Sequence, residues 1–308
     1  MRISSRMYAD FFLSDLQAHQ QRLFELQRVV ATGKRILTPS DDPVGAQQVA
    51  ATINALSANQ QYQSNVSDAK TIVEQAASVA KAAGKTLADA IVTAQRGAND
   101  SNTASARTAL AAAIDQLLET ALDTGNDHSL SRYTLAGTHT STPPFVATRD
   151  GSGKITAVAL DPAVTTDAIN RQIDKGNILK VNLNAADIFG GTGAPPGSID
   201  YFASLIQLRD ALAANDGNAV RALVPQLQTL HEQVSAQEAL AGSRWQRLDD
   251  VQTKLEDQAV VLQSNRSRVE DIDTASAAAD LQAEQLIYQQ ALAVGNRILQ
   301  MGLGQLLG

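Results

Sequence analysis

Four histidines are the first candidates for catalysis or metal binding: His19, His128, His139 and His231. No two of them stand four apart on a helical face, so an on-helix zinc pair is missing. His19 falls within an apolar repeat, where it reads as a tolerated seam residue. The run GSGK at 151–154 invites a phosphate-loop reading, which requires G-x-x-x-x-G-K-[ST]. The place of the first glycine holds Thr148, and Lys154 is followed by Ile155, so a hairpin turn is expected instead. Pairs of adjacent acidic residues remain. Asp41-Asp42 is explained by helix capping, whereas Asp249-Asp250 and Glu270-Asp271 read as solvated helix faces. There is no G-x-S-x-G elbow with a plausible triad. The lack of cysteine excludes disulfides, thiolate metal ligands and cysteine nucleophiles. No catalytic residue, metal ligand or cofactor site is predicted, and the chain is not expected to be an enzyme.

Composition points to architecture rather than chemistry. Of 308 residues, 44% are hydrophobic but only 4% aromatic. Alanine, leucine and valine at that ratio favour long helices packed along thin seams. The net charge of −7, with no run rich in lysine and arginine, argues against nucleic acid as a partner. No apolar stretch approaches ~20 residues, so no membrane span is expected. The opening MRISSRMYADFF has neither the apolar core nor the cleavage site of a secretory signal, which fits a cytoplasmic protein or one exported without cleavage.

The elements that would position such residues are mostly helical. Segment 5–31 carries Phe12, Leu16, Leu23, Leu26 and Val30 at alternating three- and four-residue steps, with His19 in the polar slot. A second helix is predicted over about 43–96, with a long seam at Val66, Ala69, Val73, Ala76, Ala80, Ala83, Leu87, Ala90 and Ala94. Some fifty residues at 1.5 Å each make a rod of roughly 75 Å. A third helix is predicted over about 104–122. Between 133 and 197 turn residues gather: FVATRDGSGKITAV reads as two strands around a turn, and NILKVNLNAADIF as a further strand with an irregular end. Helices return at Ile199–Ala213, after NDGN, and from about 243. The last segment, about 274–306, has two offset stripes, Ile287, Ala291, Val294, Ile298 and Met301, and Leu292, Leu299, Leu303 and Leu306. Two stripes imply burial on more than one side.

The expected fold is mainly α: an elongated antiparallel long-helix bundle formed by the N- and C-terminal segments, with a small inserted β-rich domain at its tip. Residues 1–35 with 272–308 form terminal coiled-coil segments, expected to be disordered in the monomer. Residues 36–135 with 198–271 form the helical rod, and 136–197 the β-rich insertion. The terminal stripes, Phe12, Leu16, Leu23, Leu26 and Val30 with Ile287, Leu292, Val294, Ile298, Leu299, Met301, Leu303 and Leu306, are the predicted assembly interface.

One stretch is dense in punctuation. TGKRILTPSDDPVGA, 32–46, reads as a stop, an extended spacer and a restart. Gly33 suits a left-handed helix end, with Lys34 and Arg35 as cations beside it. Pro39 blocks any continuous helix, and Asp42-Pro43 reads as N-cap and first helical residue, with Asp41 adding charge at the positive end.

The run LQRVVATGKRILTPSDDPVGAQQVA at 26–50 resembles the N-terminal region of the flagellin family, in the form borne by its hook–filament junction branch. The matching residues are Gly33, Arg35, Ile36, Pro39, Asp41, Asp42, Pro43 and Gly45, an inter-layer linker motif. RYTLAGTHTSTPPF at 132–145 and QQALAVGNRILQMGLGQLLG at 289–308 are similar to two further segments of that family; Leu135 replaces its commoner phenylalanine. The resemblance implies a secreted, extracellular structural component of the bacterial flagellum, an adaptor between hook and filament. It implies export through the flagellar type III apparatus and termini that order on assembly. It also implies partners: further copies in a ring-like homo-oligomer, the other junction protein, flagellin, and an export chaperone on the C-terminal segment. Two other readings stay open at this stage, filament flagellin itself and a secreted type III coiled-coil tip protein that binds through residues 140–197.

Overall fold

The computed structural model describes residues 5–129, 132–164, 167–191 and 193–306. In chain order the elements are α1 (Ser5–Thr32), α2 (Pro43–Gly97), α3 (Ala104–Gly125), β1 (His128–Ser129), β2 (Arg132–Tyr133), β3 (Phe145–Arg149) and β4 (Ile155–Leu160). They continue with β5 (Asn170–Asp174), β6 (Asn177–Lys180), α4 (Ala185–Phe189), α5 (Tyr201–Ala213), α6 (Gly217–Glu270) and α7 (Thr274–Leu306). The chain forms two compact units, residues 1–58 with 258–308, and residues 59–257. The division cuts α2 and α6 internally.

The central unit has a helical core. Every residue of the predicted α2 seam from Val66 to Ala94 is buried. Alanine at most of these positions leaves room for a close neighbour. On α6, Leu227, Val234, Ala241, Leu248 and Leu255 recur every seventh residue, and all are buried. A strict seven-residue repeat drifts against the 3.6-residue turn, so such a face packs with a left-handed supercoil. Ala111, Ile114, Leu118 and Ala121 of α3 and Leu205, Leu208 and Leu212 of α5 complete the core. The sequence predicts a new helical run near 243; instead α6 continues unbroken, with Pro225 inside it. Proline supplies no N–H to the carbonyl of Arg221 one turn earlier.

Polar contacts fix the helix ends. Thr103 Oγ1 accepts from Ala106 N at 3.1 Å and Asp200 Oδ1 from Ala203 N at 2.8 Å, each capping a helix start. Arg107 is buried and closes the end of α2. Its Nε donates to Gly97 O at 2.9 Å, Nη2 to Asn99 O at 3.0 Å and Nη1 to Asn215 Oδ1 at 2.7 Å.

The β strands form three separate antiparallel hairpins rather than one sheet. The turn predicted at 150–154 joins β3 to β4: Asp150 Oδ1 accepts from Ser152 N and Lys154 N, and Gly153 has φ +86°. β5, paired to β6 across Gly176, is absent from the sequence-based reading, and the expected irregular end of β6 includes the short helix α4. The hairpins lie against helices of the same unit. Phe145, Phe189, Tyr201 and Phe202 cluster, mostly edge to face, with Phe145 and Phe202 centroids 4.9 Å apart and only Phe189 and Phe202 stacked. Tyr201 Oη donates to Ala83 O at 2.9 Å, tying this cluster to α2. A Cβ at Gly125 would come within 2.7 Å of Phe145, so glycine permits the approach. On the other hairpin, Lys254 Nζ meets Asp174 Oδ2 at 2.7 Å and Arg247 Nη2 meets Asn177 Oδ1 at 3.2 Å.

Candidate assembly interface

α1 and α7 pack antiparallel on each other. On α1 Phe12, Leu16, His19, Leu23, Leu26 and Val30 are half-buried, as the heptad spacing predicts, and Val29 joins them at the end of the helix. On α7 the inward seam is Ala277, Leu281, Glu284, Tyr288, Ala291 and Gly295. These also alternate at four and three residues, but half of them are alanine or glycine. A Cβ on Gly295 would lie 2.5 Å from the Phe12 ring, so the ring seats on bare backbone. His19 Nδ1 lies 2.6 Å from Glu284 Oε1.

The larger apolar residues of α7 point elsewhere. Ile287, Leu292 and Val294, all in the predicted interface, are exposed, Val294 by 50%, and so is Leu286. α1 likewise exposes Phe11 by 63%, together with Leu13 and Phe24. Ile298, Leu299, Met301, Leu303 and Leu306 lie outside the residues whose side chains the structure describes. The terminal helices therefore carry a seam for one another and a second apolar surface left to solvent.

The linker between α1 and α2 has the predicted grammar. Gly33 takes φ +70°, and its N–H donates to Val29 O at 2.9 Å. Asp42 Oδ1 accepts from Gly45 N at 2.9 Å, which makes it the N-cap of α2, followed by Pro43. Pro39 is exposed in the turn, where Asp41 Oδ2 accepts from Leu37 N at 2.9 Å and Thr38 N at 2.8 Å. Ile36 is buried and plugs the corner; a Cβ on Gly45 would come within 2.5 Å of both Ile36 Cδ1 and Asp42 Oδ2.

The linker does not stand alone. A second break, between α6 and α7, lies beside it. Arg35 N donates to Glu270 O at 2.7 Å, and Ile272 N to Gly33 O at 3.1 Å, an antiparallel bridge between the two connections. Arg35 Nη2 reaches both Asp42 Oδ2 and Val269 O, each at 3.1 Å. Glu270 is the main correction to the sequence reading. It is not a solvated face but 7% exposed, paired with Lys34 Nζ and with Arg266 Nε at 3.0 Å. Asp273, which the sequence reading passed over, caps α7 through Ala275 N at 2.9 Å. Its signal is an aspartate standing immediately before the first residue of the final helix.

Hydrogen bonds from the Thr38 and Leu37 amides hold the Asp41 carboxylate down to about 2, from an ordinary 3.8, and the Gly45 amide lowers Asp42. The sign follows from the depressed value. The contribution of Asp41 is fully present above 3.8 and is lost as pH falls toward about 2. Amide-exchange protection at Leu37 and Thr38 should therefore decline across that interval, and the decline should vanish in an Asp41→Asn variant. Equal pH dependence in both proteins would refute the assignment.

Among the described residues no cluster of metal-ligating groups occurs and no helix is long and apolar enough to cross a membrane. Paired terminal helices, long internal helices and inserted hairpins define an α-helical protein whose two ends close on each other. Residues 3–140 match the bacterial flagellin N-terminal helical region, and residues 225–307 the bacterial flagellin C-terminal helical region. The chain belongs to the flagellin family. It is 28% identical over 229 residues to flagellar hook-associated protein 3 of Salmonella typhimurium, a match covering 70% of this chain and 66% of that relative's length. In fold it is similar to Bacillus cereus FlgL, at 19% identity and TM-score 0.56, over 70% of this chain and 99% of that one. It is also similar to the flagellar junction protein FlgL of Legionella pneumophila, at 13% identity and TM-score 0.58, over 73% of this chain and 100% of that one.

Proposed function

We propose that this protein is a structural joint of the bacterial flagellum, seated between hook and filament and built in through its terminal helices. The observation that carries the reading is the second apolar surface on α1 and α7, with Phe11, Leu13, Phe24, Leu286, Ile287, Leu292 and Val294 left uncovered in a single chain. Neighbouring copies supply the cover. Burial worth about 25 cal/mol per Å2 of apolar surface must exceed the ~1–2 kcal/mol per residue needed to order backbone. Terminal segments 1–35 and 272–308 accordingly order on assembly rather than before it. The partners are further copies of this chain, the companion junction protein on the hook side, flagellin on the filament side, and an export chaperone holding the C-terminal segment. The role is non-enzymatic and the site of action extracellular, reached through flagellar export. The family relationship alone leaves filament flagellin as the second reading; the PSDDPVGA linker and the likeness to hook-associated protein 3 favour the joint. Electron microscopy of a strain lacking the gene should show bare hooks, with flagellin shed into the medium. Filaments still growing on those hooks would refute the proposal.

A further inference from the structure

We propose that His19 and Glu284 are specificity-determining residues that set the register in which α1 and α7 pair. This rests on the junction reading above and assigns a role to two residues within it. The seam is otherwise apolar: Phe12, Leu16, Leu23, Leu26 and Val30 face Ala277, Leu281, Tyr288, Ala291 and Gly295. Among the described residues its one polar layer is the pair His19 Nδ1–Glu284 Oε1 at 2.6 Å, with Arg22 Nε 4.0 Å from the second carboxylate oxygen. The Glu284 side chain is only 9% exposed, so its carboxylate depends on these partners.

An apolar heptad seam of this kind is degenerate. Sliding one helix by seven residues, in the direction that carries His19 toward Ala291, keeps Phe12 over a glycine. The glycine under Phe12 opposes only the slip that would seat the ring on Tyr288; in the opposite slip Gly302, seven residues beyond Gly295, takes its place. The polar layer opposes both. A slip of one heptad carries Glu284 to Leu26 in one direction or to Phe12 in the other, and His19 to Ala291 or Ala277. Either slip strands a carboxylate against hydrocarbon and an imidazole against alanine. A lone polar layer lowers stability and selects register, the best-attested use of such groups in coiled coils. Selection matters most where many copies of both helices meet at once and mispairing would propagate.

The chain has no cysteine, so introduced thiols report register without background. The contacts at Phe12–Gly295 and His19–Glu284 place Leu23 beside Leu281, and a one-heptad slip places Leu23 beside Tyr288. Full-length chains carrying Leu23→Cys with Leu281→Cys, or Leu23→Cys with Tyr288→Cys, are to be oxidised on isolated flagella. The first pair should crosslink in preference by at least about tenfold, the ratio that an ordinary polar mismatch implies. With His19→Leu and Glu284→Leu added, the preference should collapse while the paired helices melt no earlier. The exchanged pair, His19→Glu with Glu284→His, should restore it, which a merely space-filling role would not do. Undiminished preference in the leucine variant, or equal crosslinking of both reporters with His19 and Glu284 in place, would overturn the register inference alone. Absence of the chain from isolated flagella would overturn the junction reading and this inference with it.

Discussion

Val294→Asp should abolish swimming while leaving the purified chain's melting curve unchanged. Val294 sits on the outer side of α7, half exposed, near exposed Leu286, Ile287 and Leu292. In a free chain the new carboxylate stays in water, and a surface substitution of this kind shifts stability by no more than about 0.5 kcal/mol. In the assembled joint we propose, the same position would be enclosed by neighbouring copies. An unpaired carboxylate there loses its hydration, at a cost of several kcal/mol per copy. The cost recurs at every subunit, so incorporation fails rather than weakens. Soft-agar motility and calorimetry of the purified chain check both halves. Normal swimming would show that this face stays wet after assembly, and the interface would have to lie elsewhere.

Leu227→Ala should have the opposite profile. Leu227 is fully buried on the seven-residue face of α6, within the central unit. Removing its side chain leaves a cavity between close-packed helices, for an expected loss of ~2–5 kcal/mol. At roughly 2–4 °C per kcal/mol for a unit of this size, the melting midpoint should fall by about 4–20 °C. The same leucine-to-alanine change at exposed Leu286 should barely move it. Chains with Leu227→Ala that remain folded at growth temperature should still be incorporated, because the terminal surfaces are untouched. A melting midpoint within a degree or two of the parent would mean that the α6 seam relaxes into the space.

The two substitutions also separate what the sequence makes legible from what it does not. The α2 seam from Val66 to Ala94 and the α1 stripe from Phe12 to Val30 are visible in spacing alone, because each lies on one face of its helix. The linker is equally legible. Gly33, Pro39, Asp42 and Pro43 act through local backbone geometry, which needs no knowledge of the rest of the chain. α7 resists this reading. Its bulky residues suggest the stripe, yet the surface turned to α1 is Ala277, Leu281, Glu284, Tyr288, Ala291 and Gly295. Hydrophobic size marks surfaces that will be covered by something; it does not say by which molecule. Glu270 failed for a related reason. Its partner Lys34 is 236 residues away, and no local pattern reveals that a helix-end carboxylate will be enclosed. β5 is short and polar, Asn-Arg-Gln-Ile-Asp, and becomes a strand only because β6 returns along it.

The bridge between the two helix breaks has a mechanical corollary. Arg35 N to Glu270 O and Ile272 N to Gly33 O join the outgoing and returning connections at one level. Tension drawn on either chain end is then divided between two peptide strands and their crosslinks, instead of falling on one. A rotating shaft reverses and whips, and a double-stranded tether of this kind resists being peeled open from one side, since neither strand lengthens without dragging the other.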